Sequence, residues 1–104
     1  METIYYSEKT GDGAGPKTVF KDRFKKTKLP LRTDLVNHSP SGFSWGYRGS
    51  GPAQLALAVL ADATDDETAL EHYQQYKADY IASISPESQF RTTKTKVREW
   101  VDEQ

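Results

Sequence analysis

The chain has no cysteine, so neither a disulfide scaffold nor a thiolate zinc site can form among its 104 residues. A reducing cytoplasm suits such a chain. Histidine is scarce too: His38 and His72 are the only two, and two imidazoles alone make no metal-ligand pattern. Long apolar runs are missing. The longest follows Pro52 and falls far short of the roughly 20 residues a membrane span needs. The N-terminal Met-Glu-Thr-Ile-Tyr-Tyr-Ser-Glu-Lys has neither a basic start nor an apolar stretch. The expectation is a cytoplasmic protein, neither exported nor membrane-embedded, without metal or cofactor. A strong charge of one sign is also lacking, since the net charge is −1.

What the chain does have is aromatic residues, twelve per cent of the total. Apolar residues are only 36% and the mean hydropathy is −0.78, so these rings, each able to bury about 150–250 Å², must supply much of the core. The length fits a single domain, residues 1–104. Charge is unevenly spread along it. From Lys17 to Arg48, eight Lys/Arg face only Asp22 and Asp34, a surplus of six positive charges; from Gly49 to Ser88, Lys77 alone faces seven Asp/Glu, a surplus of six negative ones. Such a chain can present one basic and one acidic face.

Thr3–Tyr6 and Thr18–Phe20 are β-branched and aromatic clusters separated by Thr10–Pro16, a turn-rich stretch, which predicts a hairpin with a mobile loop. Pro30 predicts an edge strand or irregular crossover around Leu29–Arg32. Asp34–His38 and Phe43–Tyr47 both alternate around Ser39-Pro40-Ser41-Gly42, which predicts a second hairpin. A helix over Ala53–Ala63 follows, with Ser50 as cap and Pro52 in its first turn. Thr64-Asp65-Asp66-Glu67 reads as a capping box opening a second helix, which runs through Leu70, Tyr73 and Tyr80 to Ser85-Pro86. Residues Phe90–Thr93 suggest a short strand. A last helix capped by Thr93 or Thr95 carries Val97, Trp100 and Val101 on one side. The fold class is α+β: a small antiparallel sheet of three to four strands, with two hairpins, packed against two to three helices.

Two segments are candidate binding sites. At Arg48-Gly49-Ser50-Gly51, glycines beside a helix N-terminus let an anion approach backbone amides, and Arg48 adds a cation; a phosphate would fit. The structural alternative is that Ser50 merely caps the helix. In the basic segment, Lys21, Arg23, Lys25, Lys26, Lys28 and Arg32 interleave with Phe20 and Phe24. That mixture serves phosphate neutralisation and base stacking in nucleic-acid binders. Its alternative is a solvated strand whose lysines discourage edge pairing. A hydrolase with His38 as base and Ser39, Ser41 or Ser50 as nucleophile lacks a recognisable orienting carboxylate.

The run His38–Leu60 contains Ser-Pro-Ser-Gly-Phe-Ser-Trp-Gly-Tyr-Arg-Gly-Ser-Gly-Pro-Ala-Gln-Leu-Ala. It resembles the shared core of an uncharacterised family of small phage, plasmid and prokaryotic mobile-element proteins, Ser-Pro-x-Gly-Phe-x-Trp-Gly-Tyr-x-Gly-Ser-Gly-Pro-Ala-Gln-Leu-Ala. The resemblance implies a small non-enzymatic accessory protein and transfers no catalytic or binding residue. Arg48 stands where the relatives are expected to carry glycine, so an anion site depending on it would be peculiar to this chain. The leading expectation is a module that binds a host or element-encoded protein. Nucleic-acid or nucleotide binding through residues 17–32 and 48–52 is the alternative.

Overall fold

A computed structural model describes residues 2–13 and 15–104; Met1, and Ala14 of the predicted Thr10–Pro16 loop, lie outside the described residues. Strand β1 (Ile4–Thr10) pairs antiparallel with β2 (Phe20–Asp22), Tyr6 opposite Phe20. This is the hairpin expected from the two β-branched clusters. Strand β2 pairs in turn with β3 (Lys26–Lys28) across a three-residue tip, Arg23-Phe24-Lys25. Far along the chain, β4 (Gln89–Thr93) joins the other side of β1, giving an antiparallel sheet of order β3-β2-β1-β4. With helices α1 (Ser50–Ala63), α2 (Asp66–Asp79) and α3 (Lys94–Asp102), the fold is α+β. No helix among the described residues is long and apolar enough to cross a membrane.

Helix α1 is the centre of the molecule. Twelve of its residues are buried, from Gly51 through Ala61 and at Ala63, so it has no solvent face and its alanines and leucines are all packed. One wall is the inner face of the sheet, where Tyr5 and Ser7 of β1 alternate with Phe90 and Thr92 of β4. Helix α2 contributes Ala69 and Tyr76, a 3-10 turn (Ile81–Ser83) contributes Ile81, and α3 contributes Val97. The remaining wall is irregular chain between β3 and α1, which supplies Leu29, Phe43 and Trp45.

That irregular stretch corrects one expectation. Asp34–His38 and Phe43–Tyr47 form no strands; the only ladder contact there is an isolated bridge between Lys17 and Phe43. The second hairpin of the fold is β2–β3 instead. Phe43 and Trp45 pack on the core two positions apart, and Leu35 and Val36 pack on it side by side, without strand pairing between the two segments. Their backbone is held by a side chain. Gln54, fully buried on α1, accepts from the amides of His38 (2.8 Å) and Ser39 (2.9 Å) and donates to the carbonyls of Leu31 (2.6 Å) and Val36 (3.0 Å).

The helix ends differ from the sequence reading in detail. Thr64 does not cap α2: its hydroxyl donates to the Leu60 carbonyl (2.6 Å) in the last turn of α1, and Asp65 takes over as N-cap, accepting from the Thr68 amide (2.7 Å). A carboxylate is the better acceptor at the positive end of a helix. Helix α2 closes at Tyr80, earlier than Ser85-Pro86, and the chain tightens into the 3-10 turn. Leu70, expected on the apolar face, is exposed. Thr93 caps α3 as anticipated, accepting from Lys96 N (3.3 Å).

Candidate functional site

At the start of α1, Gly49 is the N-cap in extended geometry and makes no side-chain cap bond; Ser50, the expected cap, is the first helical residue. The Tyr47 ring lies across Gly49, where an added Cβ would come within 2.5 Å of Tyr47 Cε2. The Ser44 hydroxyl occupies the space a Cβ at Gly51 would take, and it hydrogen-bonds the Tyr47 hydroxyl at 2.8 Å. Gly49, Ser50 and Gly51 lie at the start of α1, where the two glycines make room for the chain's own side chains. Arg48 is exposed beside them. Gly46, at φ 89°, adopts the left-handed backbone that favours glycine. The glycines of the motif therefore have structural work at this corner.

His38 is half-buried, and its Nε2 lies 2.8 Å from the Tyr73 hydroxyl. Ser39 Oγ donates to the Gly42 carbonyl at 2.7 Å, while Ser41 and Ser50 are exposed. No histidine–serine hydrogen bond joins these groups among the described residues. No group of three or more His, Asp or Glu able to hold a metal occurs among the described residues either.

The basic segment divides into engaged and free cations. Lys17 is buried, with its ammonium donating to the carbonyls of Gly15 (2.6 Å) and Gly13 (3.3 Å), so it organises the β1–β2 loop. Lys21 reaches the helix side of the sheet and pairs with Asp62 at 2.6 Å. Asp62 also accepts from Tyr5 at 2.7 Å; burial first, and that bond second, push the Tyr5 phenol far above its ordinary range. Lys26 pairs with Glu8 at 2.5 Å. Arg32 binds both Asp34 (3.0 Å) and Asp66 (2.9 Å), which raises its pKa and pins the irregular stretch to the start of α2. Arg23, Lys25 and Lys28 form no ion pair among the described residues. Arg23 sits 4.9 Å from the ring centre of Phe24, which is 78% exposed at the tip of the hairpin.

Two surfaces flank this hairpin, one on the outer face of the sheet and one lined by part of the basic segment itself. The outer face of the sheet carries Ile4, Tyr6 and Phe20, with the Tyr6 and Phe20 rings 5.8 Å apart. All three are half-buried, whereas the next residues along β1, Tyr5 and Ser7, are buried against the helices. This face holds a shallow cleft of about 600 Å³ whose charged lining has both signs: Glu2, Glu8 and Asp22 with Arg23 and Arg91. On the other side of the tip lies a cleft of about 370 Å³ lined by Lys21, Arg23, Phe24, Lys25, Asp62 and Lys94, together with Thr3 and Thr27. Of Lys94, Lys96 and Arg98, the C-terminal cations expected to extend the basic patch if the last helix packs beside the first strands, Lys94 alone lines this cleft. A period-two reading of Ile4-Tyr5-Tyr6-Ser7 could have flagged Ile4 and Tyr6, but aromatic groups occupy both faces of β1 and blur the alternation.

The model of one family, described as "Family of unknown function (DUF6166)", matches residues 5–103. No curated protein and no solved structure matches the chain.

Proposed function

The chain belongs to the DUF6166 family of unknown function, and from its geometry we propose that it is a non-enzymatic protein-binding module whose docking surface is the outer face of the sheet. One observation carries this reading: Ile4, Tyr6 and Phe20 form a half-buried apolar centre on a face against which no helix packs, bordered by charges of both signs. An apolar, aromatic centre within a polar rim is the anatomy of a protein interface, and aromatic and arginine side chains dominate binding energy there. Glu2, Glu8 and Asp22 line this cleft against Arg23 and Arg91, so its lining has no surplus of positive charge to attract a polyanion and nucleic acid is the poorer occupant. The resemblance of residues 38–60 to small mobile-element proteins supports a setting in which the partner is a host or element-encoded protein.

The test is affinity capture from a host lysate with the wild-type chain and with Tyr6→Asp, both confirmed folded by thermal melting. A stoichiometric partner retained by wild type and by Phe24→Ala, and lost by Tyr6→Asp, supports the reading. Capture of nothing reproducible, or of the same partner by Tyr6→Asp, overturns it.

A further inference from the structure

The cleft behind the β2–β3 tip differs from the sheet face in charge. Lys21, Arg23, Lys25 and Lys94 line it against the single carboxylate of Asp62, a surplus of three positive charges. Asp62 is already shared between Lys21 and the Tyr5 hydroxyl, so it has little left to offer the other three cations. Those three come from two separate parts of the chain, the hairpin tip and the first residue of α3. The cleft also has an aromatic wall. Phe24 is the most exposed large apolar side chain among the described residues at 78%, and it belongs to no core cluster.

A single exposed phenylalanine is ordinary by itself; this one is set apart by the cations that line the cleft beside it. Its neighbours say what fits. From the juxtaposition of a free ring with unpaired cations around a cleft of about 370 Å³, within the roughly 300–1,000 Å³ of small-ligand sites, we infer that this cleft binds single-stranded nucleic acid, one base stacking on Phe24 and adjacent phosphates lying on Arg23, Lys25 and Lys94. Stacking requires a base freed from its duplex, which is why a single strand is the occupant. The Arg23 guanidinium, already 4.9 Å from the ring centre, is placed to hold a phosphate while reinforcing the stack. The start of α3 adds no anion site of its own, because the amides of Lys94, Thr95 and Lys96 are bonded to Thr3 O, Glu2 Oε1 and Thr93 Oγ1. Lys94 acts through its side chain alone. This site is independent of the protein-docking face, although Arg23 borders both.

The experiment is fluorescence anisotropy with a labelled oligothymidine of about 12 nucleotides, within the footprint of small single-strand binders. Wild type binds at about 50 mM salt and weakens steeply toward about 200 mM. Phe24→Ala weakens binding by roughly 5- to 150-fold, the range expected for one stacked base. Lys25→Ala and Lys94→Ala each flatten the logarithmic salt slope by about 0.7, one phosphate contact on a single strand. Lys77→Ala on α2 leaves affinity unchanged, and so does Tyr6→Asp, which separates this site from the docking face. No binding by wild type at low salt overturns the inference. So does a Phe24→Ala variant within twofold of wild type, an equal loss in Lys77→Ala, or equal competition by a duplex of the same length.

Discussion

Replacing Gln54 by leucine removes four hydrogen bonds with little change in volume and therefore isolates what the buried amide contributes. Its Oε1 serves the His38 and Ser39 amides and its Nε2 serves the Leu31 and Val36 carbonyls. After the substitution all four backbone groups lose that partner while the stretch remains packed on α1. At about 1 kcal/mol net for each bond, the loss is about 4 kcal/mol, a quarter or more of the roughly 5–15 kcal/mol that holds a typical domain. Urea unfolding followed by the fluorescence of Trp45, fully buried in the native state, is the assay. With a slope of about 1–3 kcal/mol per molar, the midpoint falls by roughly 1.3–4 M. Gln54→Glu adds a pH signature. One carboxyl oxygen still accepts from the two amides, but the other faces two carbonyls and is tolerated only when protonated. The folded-state pKa of that carboxyl is therefore raised above about 4.3. Its destabilisation is smallest below that value and grows as pH rises through the raised pKa. A Gln54→Leu midpoint within about 0.5 M of wild type at unchanged slope would refute the reasoning.

Gly11→Ala destabilises by about 1–3 kcal/mol, because a Cβ there comes within 2.5 Å of Trp45 Nε1 and disturbs the Ser88 carbonyl to which that indole donates at 2.9 Å; a thermal melt checks it. Arg32 adopts a left-handed backbone at φ 59°, so Arg32→Gly is more stable than Arg32→Ala by about 1 kcal/mol, both having lost the same ion pairs; equal stabilities would contradict this. Asp65 is held below the usual carboxylate pKa chiefly by the Thr68 amide, and Asp34 by the Arg32 guanidinium. Depressed pKa values stabilise the fold above the unfolded-state value of about 3.9 and lose that contribution as pH falls through the folded-state values. The melting temperature is accordingly flat above about pH 5 and falls below about pH 4, and Asp65→Asn, which keeps an acceptor without the titration, blunts the fall.

Elements set by local chemistry were readable in the residues. The β1–β2 hairpin, the alanine- and leucine-rich α1, and the Thr93 cap of α3 each follow from signals within a few positions of one another. Elements set by tertiary contact were not. The apolar side chains of residues 34–47 pack on the core without strand pairing, and the polar partners of their backbone come from Gln54. That glutamine was visible as the one polar residue within a run of alanine, leucine and valine, and a lone amide in such a helix demands partners. The capping box misread a single position, since Thr64 turns back to α1 and leaves the cap to Asp65. Lys94 and Phe24 come together only because β4 pairs with β1 and so sets the start of α3 near the β2–β3 tip.

The two oppositely charged halves of the sequence are joined by ion pairs in the fold, and this bears on where recognition occurs. Lys21 pairs with Asp62 and Arg32 with Asp66, each joining the basic stretch to the acidic one, while Lys17 is buried among loop carbonyls and Lys26 is paired with Glu8. Half of the eight cations between Lys17 and Arg48 are thus engaged within the fold. Of the remaining four, Arg23 and Lys25 sit together at the hairpin tip, and the fold brings Lys94 beside them from outside that stretch. Folding therefore concentrates an excess of positive charge that the net charge of −1 conceals. Ion pairs that solvent reaches contribute little to stability, so what the pairing chiefly changes is the surface: it quiets half of the basic segment and leaves the cleft beside Phe24, whose one carboxylate, Asp62, is already engaged, as the place where a polyanion finds unpaired cations.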